Sequence, residues 1–197
     1  MQAQVLLEQH DVMCILVSSF DEFTANDIRQ ASGRTQTNAG EIWPSGVEKI
    51  LSSTQPLDER DVLLNDGAGI GKILAQIALT TNVCQCIGVE VRGVATRCVG
   101  QGTDVYPLLR KVTMKAADVR DVLFSHQAPI SGATVVFANY FLFEEAAKFG
   151  IVRELGATSK ARIIASTFLF CPMNRMRCTQ PFCARWKLAH KWVVECS

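Results

Sequence analysis

The sequence contains no apolar run as long as the roughly 18–20 residues that a membrane-spanning helix needs. Its longest apolar stretches, such as residues 162–173, stop well short of that length. Glu8, His10 and Asp11 interrupt the N-terminal segment, where a secretory signal needs a basic start and an unbroken apolar run. We therefore expect neither membrane insertion nor secretion, and we interpret the 8 cysteines as reduced thiols.

The cysteines also lack the paired short spacings that are typical of zinc sites. The later set of potential ligands comprises Cys171, Cys178, Cys183 and His190. Two interpretations stay open, a zinc site or ordinary buried and surface thiols, and the spacing favours thiols. We therefore predict no metal.

Histidine is scarce, with 3 in 197 residues, and charge is unevenly distributed along the chain. Residues 1–65 contain 10 acidic and 4 basic side chains, whereas residues 153–197 contain 2 acidic and 8 basic ones. This basic C-terminal quarter predicts either a solvated basic face or a contact with an acidic partner or nucleic acid.

What the sequence does contain is an alternation of helices and apolar strands. Helices are predicted over 5–20, from a capping box at Thr24–Asp27 to Gly33, from Ser45 as N-cap to Pro56, over 72–81, weakly over 92–112, and over 144–155. Strands are predicted over 61–64, 86–90, 134–138, 161–166 and 192–196. This pattern predicts an α/β fold with an open, mostly parallel sheet and flanking helices. We divide the chain into a small N-terminal helical arm over 1–37 and an α/β domain over 38–197.

A glycine-rich segment, Gly67-Ala-Gly69-Ile-Gly71-Lys72, follows the first strand and opens the next helix. Glycines let a ligand approach the backbone there, and a helix N-terminus offers N–H groups to it. The spacing is neither the G-x-G-x-x-G of dinucleotide-binding folds nor the G-x-x-x-x-G-K-[ST] of phosphate loops. It is the G-x-G-x-G form that S-adenosylmethionine-dependent methyltransferases use. The alternative is a structural turn that binds no ligand.

Two further polar segments end predicted strands, where ligand crevices lie in this architecture. The carboxylate of Glu90, in Gly88-Val-Glu90, can accept two hydrogen bonds from a ribose diol, or it is an ordinary surface acid. The segment Asn139-Tyr-Phe-Leu-Phe143 combines an amide with three aromatic rings. It predicts either a cofactor contact beside a narrow channel or part of the core.

From about Asn38 to Ser197 the chain resembles the Dot-type histone lysine methyltransferases, the disruptor of telomeric silencing family. The family's Asp-Leu-Gly-Ser-Gly-Val-Gly resembles residues 65–71, its ribose-binding Gly-x-Glu resembles 88–90, and its Asn-Asn-Phe-x-Phe resembles 139–143. Its Tyr-Gly-Glu loop resembles Ala39-Gly40-Glu41, and the Asp-Phe pair that holds adenine resembles Asp118-Val119. The order and spacing of these five motifs support the resemblance more than any one of them.

The resemblance implies a Rossmann-like S-adenosylmethionine methyltransferase fold and methyl transfer to a lysine on the nucleosomal core face of histone H3. It therefore implies a nuclear protein whose partner is a nucleosome or histone. The charge asymmetry alone leads to the further hypothesis that the basic C-terminal quarter contacts DNA phosphates. It implies catalytic roles for Asn139 and Phe143. The cofactor contacts that it implies are Glu41, Asn65, Asp66, Gly67, Gly69, Gly71, Glu90, Asp118, Val119 and Asn139.

The chain also departs from the family's pattern. Asn65-Asp66 replaces Asp-Leu and removes the acid expected to meet the methionine ammonium, and Val119 replaces the phenylalanine that stacks on adenine. The sequence ends before the hairpin that supplies aromatic residues of the family's lysine channel. These departures leave alternatives open: a degenerate, non-catalytic adaptor, or a methyltransferase with another substrate. The Asn/Asp-Pro-Pro-Tyr/Phe motif of base-modifying methyltransferases is absent.

Overall fold

The computed structural model describes residues 6–20, 42–91, 105–140, 143, 145–171 and 178–196. Its helices are α1 (Gln9–Phe20), α2 (Pro44–Ser52), α3 (Lys72–Thr80), α4 (Glu145–Ala157) and the short α5 (Pro181–Arg185). Its strands are β1 (Val62–Asp66), β2 (Gln85–Glu90), β3 (Val112–Ala116), β4 (Val135–Ala138) and β5 (Ile163–Ser166). The longest of three 3₁₀ turns, Pro107–Lys111, directly precedes β3.

The five strands form one sheet in the order β3-β2-β1-β4-β5, and every neighbouring pair is parallel. The order reverses between β1 and β4, which places a topological switch point beside the end of β1. Ligands bind outside the carboxyl ends of the strands at such a point in open α/β sheets. The predicted α/β class and mostly parallel sheet are therefore confirmed.

Apolar side chains cover both faces of the sheet, because helices pack against each face of a parallel sheet and bury both. On one face Leu63 packs with residues of α1, α2 and α3, and on the other Leu64 packs with Ile151 and Leu155 of α4. Successive strand residues point to opposite faces, so Asn65 lies on the Leu63 face and Asp66 on the Leu64 face. This alternation separates the two polar side chains that end β1.

The first helix packs on the α/β domain in the part of the predicted arm that the structure describes. Val12, Leu16 and Phe20 of α1 are buried in the core beneath α3, and the Leu7 N–H donates to the Leu79 carbonyl at 3.1 Å. The predicted helix from Thr24 to Gly33, the loop after it and the boundary near residue 38 lie outside the described residues. No helix among the described residues has the length and apolarity needed to span a bilayer.

Several local predictions were wrong. Ser45 does not cap α2: Trp43 occupies the N-cap position without a side-chain bond, and Pro44 begins the helix. The weak helix predicted over 92–112 is wrong in its described part. There the 3₁₀ turn Pro107–Lys111 leads into β3, which continues to Ala116. Within the described residues, the predicted strand at 192–196 forms no more than an isolated antiparallel bridge between Ile42 and Cys196. The helix α5 was not predicted.

Candidate functional site

The glycine loop after β1 adopts a backbone that glycine accepts at least cost. Gly67, Gly69 and Gly71 have φ angles of 73°, 57° and 94°, and Gly71 is the left-handed N-cap of α3. A side chain at Gly67 would meet the Asn139 carbonyl oxygen at 2.9 Å, whereas one at Gly69 would meet nothing within 4 Å among the described residues. One side of the loop therefore packs on the end of β4, and Gly69 faces open space.

Glu90 lies at the rim of this loop because β1 and β2 are adjacent and parallel, so that their carboxyl ends meet. Its side chain is 8% exposed, and its Oε2 accepts a hydrogen bond from the Gly69 N–H at 2.9 Å. The N–H groups of Gly67 and Ala68 donate to the Val89 carbonyl at 3.0 and 3.1 Å. A carboxylate thus lies next to the open space at Gly69, where the sequence predicts a ribose contact.

Asn65 is fully buried one residue before the end of β1. Neither its side-chain nitrogen nor its side-chain oxygen has a hydrogen-bond partner among the described residues. Leaving a buried amide unpaired costs on the order of 1–3 kcal/mol per group, so a ligand that supplied partners would gain that energy. The sequence resemblance implies an acid for the methionine ammonium at this position, and an amide oxygen can accept a hydrogen bond from the same cation.

Asp66 is not brought together with Asn65. Its carboxyl lies on the other face of the sheet, fully buried, where Oδ2 accepts a hydrogen bond from the Tyr140 hydroxyl at 2.6 Å. The pKa of Asp66 is raised to about 7, chiefly by burial; the hydrogen bond from Tyr140 opposes this rise and the negative charge of Glu90 adds to it. The other carboxyl oxygen, Oδ1, has no partner among the described residues. This side chain is therefore occupied by Tyr140 and does not replace the acid that Asn65 lacks.

Asn139 and Phe143 flank the packed side of the glycine loop. The Asn139 N–H donates to the Asp66 carbonyl at 3.1 Å, and its side-chain oxygen accepts from the Thr167 hydroxyl at 3.4 Å. The Phe143 ring would lie 3.3 Å from a Cβ at Gly67, and its centroid is 5.1 Å from that of Tyr140. Both predicted catalytic residues thus lie beside the loop, and the intervening Phe141 and Leu142 lie outside the described residues.

Asp118 and Val119 follow β3 at the same edge of the sheet. The Ala117 N–H donates to the Glu90 carbonyl at 3.0 Å, which fixes this segment beside the end of β2. Asp118 caps the turn Val119–Asp121 and pairs with Arg120 at 2.5 Å, and the hydrogen bond from Arg120 lowers its pKa. An adenine amine must therefore compete with a guanidinium for this carboxylate. Val119 is half-buried against the Leu64 face of the core.

Among the predicted site residues, Glu41 lies outside the described part of the chain. The others gather at the carboxyl edge of the sheet, apart from the side chain of Asp66. The Tyr140 contact to Asp66 was missed because it joins residues 74 positions apart, although both belong to singled-out motifs.

Internal contacts engage part of the predicted basic surface. Arg185 donates to the carbonyls of Ser159 at 2.9 Å and Ala161 at 3.1 Å, and Lys187 donates to the Cys183 carbonyl at 2.8 Å. Lys191 is exposed, whereas Arg175 and Arg177 lie outside the described residues. Two basic side chains of this quarter, Arg185 and Lys187, thus stabilise the segment around α5 through internal hydrogen bonds.

The sequence model of the family described as "Histone methylation protein DOT1" matches residues 22–181 of the chain. No curated protein sequence matches it.

Solved structures share the fold at low sequence identity. A candidate S-adenosyl-L-methionine-dependent methyltransferase from Methanococcus maripaludis has a TM-score of 0.50 and 12% identity, covering 85% of this chain and 68% of that one. A geranyl diphosphate methyltransferase in complex with GPP and sinefungin has a TM-score of 0.51 and 13% identity, covering 62% and 44%. A geranyl diphosphate C-methyltransferase from Streptomyces coelicolor A3(2) has a TM-score of 0.47 and 12% identity, covering 57% and 40%. The chain thus spans less than half the length of these two geranyl diphosphate enzymes. The structural likeness confirms the predicted Rossmann-like methyltransferase fold.

Proposed function

Because the chain belongs to the DOT1 histone methylation family, we propose that it is a methyltransferase that uses S-adenosylmethionine to methylate a lysine of nucleosomal histone H3. The proposal rests above all on one observation. The glycine loop opens at Gly69 beside the Glu90 carboxylate, in the order in which the family places its cofactor motifs. The proposed site is built from elements that meet at the switch point of the sheet.

The residues present fit the cofactor in three ways. A side chain at residue 69 would fill the space in front of the loop, and glycine leaves this space open to part of the cofactor. Glu90, beside the same space, offers a charged acceptor to a ribose diol. The buried, unpaired amide of Asn65 is an acceptor for the methionine ammonium. The neutral Asn65 supplies less electrostatic attraction than the family's aspartate, so we expect weaker binding than a charged acceptor would give.

When bound, S-adenosylmethionine supplies an electrophilic methyl group on a sulfonium. The protein's part is to position a neutral lysine amine in line with that group and to exclude water. The Phe143 ring at the loop favours the neutral amine, because burying an ammonium without a partner is costly. The Asn139 amide oxygen, which accepts a hydrogen bond from the Thr167 hydroxyl, belongs to a residue beside the glycine loop, and we expect this amide to orient the amine.

A second candidate function is a non-catalytic adaptor on the same fold. Two observations favour it: Asn65 replaces the ammonium-binding acid, and Arg120 already occupies the carboxylate of Asp118. An adaptor would bind a chromatin partner with no dependence on S-adenosylmethionine. The two candidates therefore differ in whether the cofactor binds at all.

The test of the proposed reaction is transfer of radiolabelled methyl from S-adenosylmethionine to reconstituted nucleosomes, free histone H3 and naked DNA. We expect label on histone H3 within nucleosomes and none on DNA, with the labelled lysine identified by mass spectrometry. Label on another substrate would overturn the histone assignment, and a folded chain that neither binds the cofactor nor transfers label would favour the adaptor. A Phe143→Ala variant that still binds cofactor is the matched control for non-enzymatic transfer.

A further inference from the structure

Three cysteine side chains meet beside α5, and the candidate methyltransferase site uses none of them. The Sγ atoms of Cys171, Cys178 and Cys183 all lie within 4.8 Å of one another, and no disulfide joins them. Cys171 follows β5, Cys178 precedes α5 and Cys183 lies within it. Thiols are weak hydrogen-bonding groups, so hydrogen bonds among the three of them stabilise such a cluster only slightly.

The separations between the sulfurs suit a shared metal ion. A zinc ion with Zn–S bonds of about 2.3 Å and tetrahedral angles holds its sulfurs about 3.8 Å apart. The Cys171 and Cys178 sulfurs are 3.6 Å apart, and the third sulfur needs a shift of no more than about 1 Å to complete a triangular face. Contacts of this length also exceed the roughly 2.05 Å of a disulfide bond.

The surroundings favour a soft, thiolate-bound cation. Cys183 is buried, whereas Cys171 and Cys178 are half-buried, so the cluster is protected yet open to an entering ion. The chain has no acidic residue between Glu154 and Glu195, so it offers few carboxylates there to hard cations such as Mg²⁺. Lys187, whose ammonium contacts the Cys183 carbonyl, supplies positive charge near an ion whose three thiolates leave a net charge of −1.

We propose that Cys171, Cys178 and Cys183 bind one zinc ion, with a water molecule in the fourth coordination position. Zinc binding releases the protons of the three thiols to solvent, and no electron transfer is involved. His190, which the sequence grouped with these cysteines, stacks on Trp192 with a ring separation of 5.5 Å and lies outside the cluster. The site thus contains three of the four ligands considered from the sequence.

The ion would stabilise the segment that backs the cofactor loop. Phe182 of α5 packs on Phe170 with centroids 4.9 Å apart, and Phe170 packs on Tyr140 at 5.9 Å. Tyr140 in turn donates to Asp66 at the start of the glycine loop. A zinc ion that joins Cys171 to α5 would therefore fix the position of Phe182, the ring of this row that lies farthest from the glycine loop.

The test uses the full 197-residue chain without a histidine tag, purified under reducing conditions without chelator. We expect about one zinc per chain by elemental mass spectrometry. After exchange, cobalt(II) should give the near-ultraviolet charge-transfer absorption of cobalt–thiolate bonds. Loss of a ligand should weaken zinc binding at least about 100-fold, since even outer contacts to a metal site are worth 10–100-fold. We expect this loss in Cys171→Ser and Cys178→Ser, and none in the control Cys84→Ser, whose exposed thiol lies outside the cluster.

Two results would overturn the zinc site. One is a folded, reduced wild-type chain that retains no zinc and shows no cobalt–thiolate absorption. The other is an equal loss of zinc in Cys84→Ser, which would indicate unspecific thiol binding. Thermal unfolding with and without chelator guards against variants that merely misfold. Zinc should raise the midpoint of the wild type but not that of Cys178→Ser, and an equal rise in both would also refute the assignment.

Discussion

Replacing Asp66 by asparagine should stabilise the folded protein at pH 8 and change its stability little at pH 4. The Asp66 carboxyl is fully buried, its Oδ2 accepts a hydrogen bond from the Tyr140 hydroxyl, and its Oδ1 has no partner among the described residues. Asparagine has nearly the same shape, and its amide oxygen can accept the same bond. The variant therefore removes the cost of a buried charge and leaves the packing in place.

The size of the effect follows from the pKa of Asp66, which burial raises from 3.8 to about 7. Between these pH values the folded protein retains a proton that the unfolded chain has released, so stability falls as pH rises. Below pH 3.8 both states are protonated and the penalty is absent, and above about pH 7 it is constant. One pKa unit corresponds to about 1.4 kcal/mol, so this rise in pKa lowers the free energy of unfolding at pH 8 by at most about 4 kcal/mol.

Urea unfolding of the wild type and Asp66→Asn at pH 4, 6 and 8 measures this difference. With a denaturant slope of about 2 kcal/mol per molar urea, the variant's midpoint should rise by as much as about 2 M at pH 8. The exposed Asp121, changed to asparagine, is the matched control and should shift stability by no more than about 0.5 kcal/mol. An Asp66→Asn variant that is less stable at pH 8, or a gain independent of pH, would refute the reasoning.

Four further substitutions test the candidate site. Gly69→Arg should abolish S-adenosylmethionine binding measured by calorimetry, because its side chain fills the open space, whereas Gly132→Arg, at a glycine with equally open surroundings, should bind normally. Glu90→Gln should weaken binding by about 1.5–3 kcal/mol, the value of a hydrogen bond to a charged group. Phe143→Ala should lower kcat more than cofactor affinity in the nucleosome assay. Asn65→Asp should tighten cofactor binding by at least about tenfold, or roughly 1.4 kcal/mol, while destabilising the ligand-free protein in urea.

Each of these expectations has a contrary result. Equal binding by the Gly69→Arg and wild-type proteins would remove the glycine loop from the site. An unchanged binding constant for Glu90→Gln would limit Glu90 to its structural contact with the Gly69 N–H. Equal losses of kcat and affinity in Phe143→Ala would assign the ring to the core. Weaker binding by Asn65→Asp would show that an acid no longer fits at the end of β1.

The sequence predicted the elements whose signals are local. The strand β1, the glycine loop, α3 and β2 follow one another within about thirty residues, and their apolar periodicity and glycine spacing identify them directly. Glu90 was placed at the loop because adjacent parallel strands end at one edge. The same argument placed Asn139, which follows β4, at that edge.

The failures have physical causes that a single sequence does not contain. The strand β3 is an edge strand with Thr113 and Lys115 exposed, so it lacks the continuous apolar run of the inner strands. Residues 192–196 contain that kind of run, yet in the part of the chain that the structure describes they pair through a single bridge to Ile42, since pairing depends on a neighbour distant in sequence. The cysteine cluster was not predicted for the same reason: four residues separate Cys178 from Cys183, as in a short zinc-ligand pair, but six separate Cys171 from Cys178, so the sequence shows no second pair.

The measurement that tests the central claim most directly is calorimetric titration of the 197-residue chain with S-adenosylmethionine and, separately, with S-adenosylhomocysteine. The account predicts one site per chain for both compounds, lost in Gly69→Arg and kept in Gly132→Arg. A folded chain that binds neither compound would contradict the cofactor site at the glycine loop and leave the adaptor as the supported function.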